Sequence, residues 1–152
     1  MDDLNTLVRR VDEDRWLASR FAPRDVRARL IAIYALNYEI AHVSETVAEP
    51  ALAQIRLTWW RDAIGGVRSS TRVRSHPVLD AYARAAPDMP FEPWMDIIEA
   101  RMEGAGAFTS WEALEAYFAR TAGAVLRLAL LACGEDASAI ERPAGVAWGY
   151  QG

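Results

Sequence analysis

The chain has 152 residues, 52% of them hydrophobic and 25% charged, with a formal net charge of -4 at neutral pH. That length and balance suit one globular domain with a substantial core and exclude a disordered chain. The negative sum argues against overall attraction to nucleic acid or anionic lipid. All 17 basic residues are arginine. A Walker-A lysine, a Schiff-base lysine and a lysine general base are therefore excluded, while bidentate recognition of carboxylate or phosphate stays open.

The first residues, Met1-Asp2-Asp3, are acidic and no apolar run comes after them, so no signal peptide is read. No stretch approaches the roughly 20 apolar residues of a membrane span. The single cysteine, Cys133, cannot form an intrachain disulfide, and no Cys-x-x-Cys pair is present to hold zinc. Its neighbours Leu130, Leu131 and Ala132 predict a buried thiol. A reducing, cytoplasmic setting is the expectation, with membrane association peripheral at most.

Helical periodicity dominates the chain. A first helix is predicted from about Leu4 to Arg20, with Leu4, Leu7, Val8, Val11, Trp16 and Leu17 facing inward. Pro23 opens a second, from about Arg24 to Val47. Its segment Leu30-Ile31-Ala32-Ile33-Tyr34-Ala35-Leu36 is apolar on every side, the pattern of a central helix. Pro50 starts a third helix, carrying Ile55, Leu57, Trp59 and Trp60 and expected to stop at Gly65-Gly66. Residues 67–75, with Arg68, Arg72 and Arg74, read as an exposed loop. Short helices follow Pro77 and Pro93. Thr109 with Glu112 forms a capping-box pattern opening a long helix through Trp111, Leu114, Tyr117, Leu126 and Leu130, which Gly134 ends. A last helix is expected near Pro143.

Polar residues in a central helix are costly unless paired or functional. Here Asn37, Glu39, His42 and Glu45 come after the apolar run. Glu39 and His42, like His42 and Glu45, are three apart and neighbour each other on the helix surface. A di-metal site would need a second Glu-x-x-His, but the other histidine, His76, has Val73 three residues before it. There is no Gly-x-Ser-x-Gly motif and no glycine-rich phosphate loop after a strand. The bland reading of this helix end is a polar surface facing solvent or a neighbouring helix.

The segments Asp14-Arg15-Trp16-Leu17-Ala18, Phe21-Ala22-Pro23, Arg27 and Ile33-Tyr34-Ala35-Leu36-Asn37 resemble the squalene/phytoene synthase family. So do Glu49-Pro50, Ile55-Arg56-Leu57, Trp59-Trp60-Arg61-Asp62, His76-Pro77-Val78-Leu79, and Tyr117 with Thr121-Ala122-Gly123. The resemblance runs from about residue 12 to the end of the sequence. It implies an all-α, isoprenoid-synthase-like bundle around a deep cavity, forming one domain over residues 1–152. Active members join two prenyl diphosphates head to head, with Asp-rich motifs holding magnesium on the diphosphate. Substrate-binding positions implied for this chain are Arg27, Tyr34, Asn37, Glu45 and Arg56. Tyr117 is the candidate catalytic residue, matching a family tyrosine near the reacting groups.

The sequence departs from the enzymes at the first Asp-rich run, where Ala41, His42 and Glu45 stand. Alanine has no donor, histidine is a poor magnesium ligand, and one carboxylate is insufficient for a magnesium cluster. The second Asp-rich motif would lie downstream of Gly145, so the bundle is expected to be incomplete at its C-terminal end. The run Ala35-Leu36-Asn37-Tyr38-Glu39-Ile40-Ala41-His42-Val43-Ser44-Glu45 resembles a non-synthase branch, which includes a protein that aids assembly of respiratory complex I.

The expectation is a catalytically impaired domain binding an isoprenoid-like or other apolar ligand, or a partner protein. It has no metal of its own and no nucleic-acid partner. An active prenyl-diphosphate transferase, with magnesium ligands supplied elsewhere, is the alternative; a gene fragment without function of its own is the third reading. Ile33, Tyr34, Asn37, Trp59, Tyr117 and Leu126 are expected to come from helices bordering one shared cavity. An incompletely surrounded central helix would favour self-association.

Overall fold

The computed structural model describes residues 3–69, 76–104, 106, 108–136 and 138–151. Among these residues every regular element is a helix, as the periodicity predicts. The elements are α1 (Leu4–Val11), α2 (Glu13–Ser19), α3 (Arg24–Thr46), α4 (Pro50–Arg68), α5 (Pro77–Ala85), α6 (Glu92–Glu103) and α7 (Trp111–Phe118). A π-helical turn, Ala119–Gly123, joins α7 to α8 (Ala124–Ala132), and α9 (Glu141–Gly149) comes last.

α3 is the central helix. All seven residues from Leu30 to Leu36 are buried, and α1, α2, α4, α5, α6 and α8 pack around it. Ile33, Leu36 and Ile40 are fully enclosed, each contributing about 1.5–3 kcal/mol relative to an exposed side chain. α6 supplies Trp94, Ile97 and Ile98 to the same core. Trp94 Nε1 donates to the Tyr82 hydroxyl at 2.9 Å, so the indole's one polar atom is satisfied inside the core.

Four expectations are corrected. The predicted helix from Leu4 to Arg20 breaks at Asp12, whose backbone leaves the helical region (φ -152°, ψ 68°). The Asp12 carboxylate accepts from the Arg15 backbone N–H and pairs with the Arg15 guanidinium at 2.7 Å. Aspartate is a favoured N-cap, so it starts a second helix instead of extending the first. α4 does not stop at Gly65-Gly66 but continues to Arg68, with Gly66 buried inside the helix. The cap of α7 is Ser110, whose hydroxyl accepts from Ala113 N–H at 3.1 Å. Ala113 at the third position cannot reciprocate, so the Thr109–Glu112 box does not form. Finally, Cys133 is exposed: it sits at the end of α8, where the chain turns away from the core.

Residues 70–75 of the expected arginine loop lie outside the described residues, and Arg68 belongs to α4. Gly134 ends α8 as expected, in the left-handed region (φ 81°). Glu135 N–H bonds Leu130 O and Gly134 N–H bonds Leu131 O, a Schellman closure that only glycine adopts without strain.

Candidate functional site

The π-turn places the site. Thr121 is buried and donates its hydroxyl to the Tyr117 carbonyl four residues back at 2.9 Å, satisfying a backbone acceptor. The extra residue in the turn rotates α8 relative to α7. Ala122, Leu126 and Ala129 come to one wall of a cavity of about 340 Å³. α2 supplies Asp14, Arg15, Leu17 and Ala18, α3 supplies Tyr34, and α9 closes the remaining side with Ala144 and Trp148. Two glycines let α9 approach. A Cβ on Gly145 would meet the backbone of Gly123 and one on Gly149 the ring of Phe118, so backbone and side chain interlock only without them.

The cavity is apolar inside and charged at its mouth. The Arg15 guanidinium lies 4.8 Å from the Trp148 ring centroid and 5.7 Å from that of Tyr34. Asp12 holds it there. Burial, only partly opposed by Arg15, pushes the Tyr34 hydroxyl up to about 12, so it stays neutral at any physiological pH. Among the described residues it makes no hydrogen bond, leaving it available to a ligand group.

The polar end of α3 is a separate place. Glu39, His42, Val43 and Thr46 meet Arg56, Trp59, Trp60 and His76 around a cavity of about 300 Å³. His42 stacks on Tyr38, and its Nδ1 lies 3.1 Å from Glu45 Oε2. The positions Ala41, His42 and Glu45 thus offer one methyl group, one imidazole and a single carboxylate. Among the described residues no group of three histidine, cysteine or carboxylate side chains could hold a metal ion. These residues do not fit a magnesium cluster.

The sequence-derived residues do not converge. Tyr34 and Leu126 share the apolar cavity, whereas Arg56 and Trp59 line the polar one. Ile33 is enclosed in the core, and Asn37 is half-buried one turn beyond Tyr34. Tyr117 packs against Phe108 and Phe118 instead. Tyr34 and Trp59 therefore line separate cavities: Trp59 stands on α4 and Tyr117 on α7, away from the wall that α2, α3, α8 and α9 form around Tyr34. Arg27 lies in a third groove and donates to the carbonyls of Arg20 (2.9 Å) and Ala22 (3.1 Å).

Sequence reasoning missed Arg15, Trp148 and Arg101. Arg15 and Trp148 form the cavity mouth. Arg101 on α6 has its guanidinium Nε shielded from solvent and unpartnered. Burial lowers its pKa, and the charges of Tyr117 and Glu45 act against that, so the three groups are within electrostatic reach. A lone arginine soon after Ile97-Ile98 was the available signal for Arg101. Nothing local marks Arg15 and Trp148 as partners, since they lie near opposite ends of the sequence.

The chain resembles known proteins over most of its length. It is 25% identical over 127 residues to mouse "NADH dehydrogenase (ubiquinone) complex I, assembly factor 6", and 23% identical to the human protein over the same length. Each alignment covers 82% of this chain and 38% of the relative. The homologue from Drosophila melanogaster is 35% identical over 60 residues, 39% of this chain and 18% of that protein. The chain therefore spans well under half the length of these relatives. No solved structure matches it significantly. The family description that fits is squalene/phytoene synthase, matched over residues 8–150. This chain belongs to the squalene/phytoene synthase family.

Proposed function

We propose that this chain is a non-catalytic member of its family that acts in the assembly of a respiratory complex, through a protein partner and an apolar ligand. The observation that carries the reading is the state of three α3 positions. Ala41 has no donor, and His42 and Glu45, in contact through Nδ1 and Oε2 at 3.1 Å, supply a single carboxylate. Without a carboxylate cluster at these positions, α3 does not hold magnesium on a diphosphate to stabilise its departure. The relatives bearing the assembly-factor name support the partner side of the reading. The cavity at Tyr34, with its apolar walls and Arg15 at the mouth, supports the ligand side. Its size lies at the lower end of the range of small-molecule pockets.

Calorimetry with farnesyl diphosphate and with farnesol, each with and without magnesium, tests this. The expected result is binding that magnesium does not enhance, no release of diphosphate, and weaker farnesol binding in Ala18→Phe, which fills the cavity mouth from an exposed position on α2. A magnesium-dependent isotherm that disappears in Glu45→Gln would overturn the non-catalytic reading. Failure of farnesol to bind would overturn the ligand.

A further inference from the structure

On the side of the bundle formed by the starts of α1 and α3 and the end of α5 lies a groove of about 550 Å³. Its floor includes Leu4, Ile31, Ala32 and Ala81, and its rim carries Arg20, Arg24, Arg27 and Arg84. The single carboxylate among its lining residues is Asp3. Other arginines of this chain find acids: Arg29 with Asp88 at 2.9 Å, Arg15 with Asp12 at 2.7 Å, Arg120 with Glu103 at 2.6 Å. Among the described residues, none of the four groove arginines has a carboxylate within ion-pair distance.

Two of the four are held rigidly. Arg20 donates to Asn5 Oδ1 at 2.9 Å and Ser19 Oγ at 3.3 Å, and its guanidinium lies 4.8 Å from the Trp16 ring centroid. Arg27 is fixed by the carbonyls of Arg20 and Ala22. In both, Nε is shielded from water and lacks a hydrogen-bond partner. Burial, and then the charge of Arg27, depress the Arg20 pKa. A protein of net charge -4 has thus gathered four cations around the one lining carboxylate, Asp3, and has fixed two of them in place. Such a concentration of positive charge attracts a polyvalent anion. Guanidinium forks match the oxygens of a phosphoryl group bidentately.

We propose that this groove binds a phosphoryl group carrying two or more negative charges, with the attached carbon chain, where there is one, on the Leu4–Ile31–Ala81 floor. The source is either a free phosphate compound or the headgroup of an anionic lipid. The groove shares no residue with the cavity at Tyr34, so its test is independent of the proposed function.

The experiment has two arms, both on the whole chain. One is calorimetry with inorganic pyrophosphate. The other is co-sedimentation with phosphatidylcholine vesicles containing phosphatidic acid, against phosphatidylcholine alone. The double variant Arg24→Gln/Arg84→Gln serves as control, because both side chains are exposed and unbonded among the described residues and their loss should leave the thermal melt unchanged. Binding in the first arm identifies a free phosphate compound, and binding in the second alone a lipid headgroup. In either case the double variant should bind roughly tenfold to a hundredfold more weakly. No binding in either arm, binding unaltered in the double variant, or capture of polyglutamate without phosphoryl binding would overturn the proposal.

Discussion

Gly145 is where the bundle's last helix touches the π-turn. A methyl group at this position would fall against the Cα and N of Gly123, and 3.3 Å from the carbonyl carbon of Ala122. These are backbone atoms, so no rotamer change relieves the contact, and α9 must lift or the turn must bend. Overpacking of this kind costs about 1–3 kcal/mol, with rigid backbone placing it at the upper end. Alanine is worth about 1 kcal/mol more than glycine inside a helix. The two effects leave a net destabilisation of about 2 kcal/mol for Gly145→Ala. For a domain of this size that is a fall in Tm of about 4–8 °C. Gly65→Ala is the matched control: it too lies inside a helix, but its Cβ would meet the Phe91 ring at 3.7 Å, an ordinary contact. There the propensity gain stands alone, and stability should hold or rise by up to about 1 kcal/mol. Thermal melts of both variants, with hydrogen exchange read over residues 141–149, provide the measurement. If Gly145→Ala matched Gly65→Ala, the close crossing of α9 over the turn would be refuted.

Tyr82→Phe leaves the Trp94 indole N–H buried without an acceptor and should cost about 1–3 kcal/mol in chemical denaturation; an unchanged midpoint would show that the N–H has another partner. Tyr34 and Tyr82 are both pushed to about 12, burial being the largest cause in each. The unfolded chain therefore releases these protons first. Their contribution is fully present below about pH 10 and is lost as pH rises through about 12, which absorbance titration and melts across that window will track. Asp12→Ala removes both the α2 cap and the Arg15 pair and should lower stability by about 1 kcal/mol, with a matching loss of helicity in α2.

The long central helix was legible because its signal is local. Seven consecutive apolar residues from Leu30 to Leu36 cannot face solvent on any side, and the proline before Arg24 supplies a start. Gly134 was legible for the same kind of reason, since a left-handed residue is needed to close α8. The family landmarks added the order of elements. The break at Asp12 was not legible, because an aspartate among helix-forming neighbours reads as a surface residue until its carboxylate is seen on the Arg15 N–H.

The site depended on tertiary structure for a further reason. Spacing along one helix fixes which residues share a face, but not which face another helix covers. Tyr34 and Tyr117 look equivalent as aromatic residues in apolar helices, yet one lines a cavity under α9 and the other packs against Phe108 and Phe118. Arg15 meets Trp148 only because Gly145 and Gly123 let two backbones approach. Arg20, Arg24, Arg27 and Arg84 look ordinary in an arginine-rich sequence; the fold gathers them into one groove. Periodicity along the chain determines the helices and their apolar faces. Their mutual placement is set by side-chain volume and close approach between residues far apart in sequence, which no local pattern encodes.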